Sequence, residues 1–70
     1  MTAEEWIRTF AEEIGCEPPS PELMDEILRL ASVAAHASER KAAPIACYIA
    51  ATTGRSVAEV REVAERIGAD

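Results

Sequence analysis

A chain of 70 residues with only three aromatic side chains makes one domain at most, and burial of only ~60% of the unfolded surface leaves it a small core. Apolar residues are 49% of the chain, so that core is aliphatic and alanine-rich, with a stability of ~3–5 kcal/mol in the absence of staples. A net charge of −6 repels phosphate backbones and anionic lipid surfaces, which argues against nucleic acid or membrane as partners.

Thr2 and Glu5 form a Thr-x-x-Glu capping box that predicts a first helix over 3–14, stopped by Gly15. Trp6, Ile7, Phe10 and Ile14 recur at helical spacing as its apolar face, and Glu4, Glu5, Arg8, Glu12 and Glu13 form the polar one. Trp6 is expected as a core anchor and is also a candidate interface residue. Pro18 and Pro19 then hold a short extended connection.

Ser20 as a cap and Pro21 at the first helical position open a second helix over 21–38. Its stripe of Leu23, Ile27, Leu30, Ala31 and Ala34, flanked by Met24, Leu28 and Ala35, is broad enough to meet more than one neighbour.

A third helix is expected over 44–53, from Pro44 to the residue before Gly54. Its residues Ile45 to Ala51 are apolar nearly all round, as in a central helix or half of an oligomer interface, and Tyr48 is a second candidate interface residue. The fourth, over 57–67, follows another capping box, Ser56-Val57-Ala58-Glu59, and precedes Gly68. Val57, Val60, Val63, Ala64 and Ile67 form its buried stripe, with Glu59, Arg61, Glu62, Glu65 and Arg66 toward water.

The fold class is therefore all-α, a compact four-helix domain over residues 1–70. Helices 2 and 3 are expected in the middle, where Ala31, Ala34, Ala35, Ala46 and Ala50 let backbones approach closely.

No basic-then-apolar leader opens the chain, and the longest apolar run, Ala42 to Ala51, is far below the ~20 residues that span a bilayer. The expected location is the cytoplasm, where Cys16 and Cys47 remain free thiols. One histidine and no CxxC spacing give no metal site, and no cofactor is expected. The acidic pairs Glu4/Glu5, Glu12/Glu13 and Asp25/Glu26 are read as solvated helix faces rather than catalytic acids.

One segment gathers candidate chemistry. Ala43, before Pro44, offers no capping oxygen, so the N–H groups near Ile45 and Ala46 are expected to be free at a helix start that favours anions. Arg40 and Lys41 lie just upstream, and His36 stands four residues before Arg40, on the same face if the second helix extends that far. His36, Arg40, Lys41, Ile45 and Ala46 are thus a candidate anion or partner site. The plainer account has Glu39 or water capping the third helix and the two basic residues complementing the end of the second.

The segments Glu4-Glu5-Trp6-Ile7, Leu28 to His36 (Leu28, Ala31, Val33, Ala35, His36) and Glu39-Arg40-x-Ala42-Ala43-Pro44-Ile45 resemble a family of small bacterial domains of unknown function. Its members occur alone or attached to molybdenum cofactor guanylyltransferases, the nucleotidyltransferases that join a guanosine nucleotide to molybdopterin. Lys41 stands where the family usually has proline, and Ala37 where asparagine is common. The resemblance implies a non-enzymatic accessory or interaction module associated with molybdopterin guanine dinucleotide biosynthesis, with the transferase or its anionic pterin product as partner. The alternative is a structural homo-oligomer, such as a homodimer, that buries the Ile45 to Ala51 face. A small enzyme using His36 would need a second titratable group within reach, for which Glu39, Cys47 and Tyr48 are the local candidates.

Overall fold

The computed structural model describes residues 1–67, and the expected stop of the last helix at Gly68 lies outside them. Four helices make up the fold: α1 (Ala3–Ile14), α2 (Pro21–Ala37), α3 (Ala42–Thr52) and α4 (Val57–Arg66), with no strand among the described residues.

Local side-chain chemistry starts three of them. In α1, Thr2 Oγ1 accepts from the Glu5 N–H at 3.1 Å and the Glu5 carboxylate accepts from the Thr2 N–H at 2.7 Å, which completes the capping box. Gly15 ends α1 at φ 89°, a left-handed conformation that costs glycine little, and its N–H returns to the Ala11 carbonyl at 2.8 Å. Ser20 caps α2 through the Leu23 N–H at 3.2 Å. Ser56 caps α4 through the Glu59 N–H at 3.1 Å, although the Glu59 carboxylate comes back to the Ser56 hydroxyl, at 3.2 Å, rather than to its backbone.

α3 begins two residues earlier than its proline suggested. Glu39 to Ala43 form a tight turn in which the Ala42 N–H donates to the Glu39 carbonyl at 2.9 Å and the Ala43 N–H to the Arg40 carbonyl at 3.1 Å. Pro44, which has no N–H to place, falls in the first turn of the helix rather than at its first residue. α2 stops at Ala37 with Ser38 as its cap, and α4 stops at Arg66 with Ile67 as its cap.

α2 alone is the middle of the structure. It packs along both α3 and α4, whereas α3 and α4 meet at only a few positions. Among the described residues Leu30 on α2 is the one large side chain that is fully enclosed, at 1% exposure, with Ala50 of α3 buried as well. Both border a cleft of about 230 Å³ between α2, α3 and the start of α4. Burying one leucine contributes ~1.5–3 kcal/mol, a large share of what a domain this small possesses.

α4 is tied to α2 by charge as well as by packing. Arg61, expected to face water, instead points its guanidinium at Glu26 of α2, with Nε donating to Oε2 at 2.8 Å, while Nη1 holds Glu65 at 3.1 Å. Glu26, expected on a solvated face, is half-buried by this bond.

α1 stands off from this three-helix unit: no Cα of α1 lies within 8 Å of a Cα in another helix. Its buried residue is Ala11, at 4% exposure, and Ile7 borders an open cleft with Pro19, Met24 and Leu28. Trp6, expected as a core anchor, is 54% exposed, and Phe10 and Ile14 on the same side are 50% and 62% exposed.

Candidate functional site

The turn between α2 and α3 carries the candidate polar groups, all exposed. His36 lies in the last turn of α2 with Nδ1 3.5 Å from Ser32 Oγ, a long contact one helical turn back. Arg40 falls beyond the end of α2, so the two do not share a helical face. Lys41 reaches Glu39, Nζ to Oε1 3.4 Å, in an exposed ion pair that contributes ~1 kcal/mol or less.

Two of the donors at the start of α3 are taken up by the turn before it. The Ala42 and Ala43 N–H groups are bonded to the preceding turn and Pro44 has none. No side chain caps the helix at Lys41, whose backbone is helical rather than extended, so the backbone of the turn does the work of a cap. Beside that helix start stand the side chains of His36, Arg40 and Lys41, around an exposed corner.

Next to that corner lies an apolar groove that sequence reasoning missed. It runs between the second half of α2, the first half of α3 and the end of α4, encloses about 320 Å³, and is lined by Val33, Ala34, Ile45, Ala46, Ile49 and Ile67 among others. Alanines in both walls, Ala34 and Ala37 opposite Ala42 and Ala46, were legible as small residues, but they leave an open trough here instead of closing two backbones together. Ile45, Tyr48 and Ile49 follow one another on the exposed side of α3, and Tyr48 is 70% exposed. α3 is therefore neither central nor covered on this side.

Cys16 is exposed and free, and Cys47 is free within the α2–α3 contact, its Sγ 3.9 Å from the Ile27 carbonyl. Burial pushes the Cys47 thiol up, away from the thiolate that nucleophilic chemistry requires. Among the described residues no group of three or more His, Cys, Asp or Glu is placed to hold a metal ion, and no helix is long and apolar enough to cross a membrane.

The family model for a domain of unknown function (DUF6457) matches residues 1–69. The chain belongs to this family. The match takes in all four helices and the turn between α2 and α3, so the groove and its basic corner are parts of the family domain itself. No curated protein and no solved structure matches the chain.

Proposed function

We propose that this DUF6457 domain is a non-enzymatic interaction module that docks a partner protein along the α2–α3–α4 groove and the adjoining face of α3. The observation that carries it is the run of Ile45, Tyr48 and Ile49, three large exposed side chains beside an apolar trough. Contiguous uncovered apolar surface on a soluble domain marks an interaction site, and tyrosine supplies both apolar area and a hydroxyl at such sites. His36, Arg40 and Lys41 give the same region a basic corner in an otherwise acidic protein, which orients a partner with an acidic rim.

The partner proposed is a molybdenum cofactor guanylyltransferase. Support comes from the resemblance of residues 35–45, which lie at this corner, to domains attached to those enzymes. A protein contact is favoured over capture of the anionic pterin product, because the Ala42 and Ala43 backbone donors at the start of α3 are already bonded and the neighbouring groove is apolar. Isothermal calorimetry of the domain with such a transferase tests the assignment. Saturable binding that Ile49→Glu removes and Glu12→Gln preserves is the expected result, and absence of heat overturns the choice of partner. A parallel NMR titration with phosphate, GMP and a pterin phosphate is expected to leave the Ala42 and Ala43 amides unmoved. Saturable shifts there would return the site to a small anion.

A further inference from the structure

Among the described residues one apolar side of α1 is exposed, and the groove presents a second open apolar surface. Trp6 and Phe10 stack with ring centroids 4.9 Å apart and planes 18° from parallel. With Ile14 one turn on, they form a continuous ridge at i, i+4 and i+8, the form in which an amphipathic helix enters a groove. The charges match as well. α1 carries Glu4, Glu5, Glu12 and Glu13 against a single Arg8. The groove is bounded by Arg40, in the turn between its lining residues Ser38 and Ala42 where Lys41 is paired with Glu39, and by Arg66, next to its lining residue Ile67. Arg40 and Arg66 make no ion pair with any described residue.

We propose that α1 of a second copy occupies this groove when no partner enzyme is bound, in a reciprocal dimer that seats each Trp6–Phe10–Ile14 ridge in the other chain's groove. Such a dimer presupposes that the groove docks protein, as proposed above, and adds that the chain itself competes for it. The chain's own α1 is the poorer occupant. Ile7 places α1 beside Met24 and Leu28, in the first half of α2, whereas the groove is walled by Val33 to Ser38 in the second half. Folding back would give up the Ile7 cleft and strain a connection of Gly15 to Ser20 stiffened by Pro18 and Pro19. Exchange between two copies requires neither. Two ridges, each about half exposed beforehand, in two grooves cover roughly 1,000 Å², at the low end for specific dimers and small enough for a partner to displace.

Sedimentation velocity of the full chain from about micromolar to millimolar concentration, with Trp6 emission recorded on the same samples, is the test. Dimer is expected to accumulate together with a blue shift of Trp6. Trp6→Ala/Phe10→Ala and Ile49→Glu should each weaken self-association at least ~10-fold while circular dichroism shows helicity retained. Mixing these two variants should restore a heterodimer, since each supplies the half the other lacks, and a variant that had merely unfolded would give no such rescue. A wild-type monomer at the highest concentration overturns the proposal. So does undiminished dimerisation of the Trp6/Phe10 variant, or a blue shift independent of concentration, which would place α1 in its own groove. Calorimetry of that variant with the transferase separates the two proposals. Binding without any wild-type dimer defeats only the exchange, and a wild-type dimer without transferase binding defeats only the choice of enzyme.

Discussion

Arg61 Nε donates to Glu26 Oε2 at 2.8 Å and joins α4 to α2 across 35 positions of sequence. The bond from Glu26 is the main reason the guanidinium holds its proton more firmly than usual, with Glu65 adding to it. Arg61→Ala and Glu26→Ala should each lower Tm by a few degrees, and the double variant should lose less than their sum. Arg61→Lys should not restore the loss, because an ammonium cannot serve both carboxylates with a planar fork. Thermal melts of the four proteins in a double-mutant cycle measure this, and strict additivity would show that the pair is inert.

Leu30 is enclosed where α2 meets its neighbours, and no other large side chain in the described residues is so fully covered. Leu30→Ala removes ~2–5 kcal/mol, comparable with the whole stability of a domain this size. The variant should be largely unfolded at room temperature by circular dichroism and amide NMR. A cooperative melt close to wild type would mean that the core lies elsewhere.

The two thiols should differ sharply in reactivity. Cys16 is exposed after α1, while Cys47 is partly covered by α2 and its thiol is pushed up by burial. Maleimide labelling followed by mass spectrometry should modify Cys16 at least ~10-fold faster near neutral pH, since the exposed thiolate is the reacting species. Equal rates would indicate that the α2–α3 contact opens readily.

Acid should loosen the start of α1 through Glu5. Its carboxyl is held below the usual glutamate range, first by the Thr2 backbone N–H and then by the Thr2 hydroxyl. A depressed folded value means that this contribution is complete above the ordinary glutamate pKa of about 4.3 and is lost as pH falls through the lower folded value. A carbon-13 NMR titration should show Glu5 protonating below the ordinary glutamate range. Thr2→Ala should reverse only part of the shift because the backbone donor survives, and complete reversal would assign the effect to the hydroxyl.

Legibility followed the range of the interaction. Thr2, Ser20, Pro21, Gly15 and Ser56 act on residues within one turn, so the starts of α1, α2 and α4 and the end of α1 were readable from spacing. α3 has no capping side chain, and its start depends on carbonyls of Glu39 and Arg40 that any residue type would offer. Periodicity marked Arg61 as polar and outward, but the helical surface turned it to a carboxylate on another element. For His36, Arg40 and Lys41 the spacing was visible, and the end of α2 at Ala37 separated them into a loose exposed corner.

By itself the amino-acid sequence determined that this chain is all-helical, how many helices it has and which side of each is apolar, because caps, glycines and the 3.6-residue period are local properties. Only the tertiary structure decided which apolar sides are covered. α2 gains two neighbours, while the Trp6–Phe10–Ile14 ridge of α1 and the groove beside Ile45 and Ile49 are left open. The reason is that apolar burial is non-directional: a stripe of side chains records that it favours cover and carries no record of which surface will provide it.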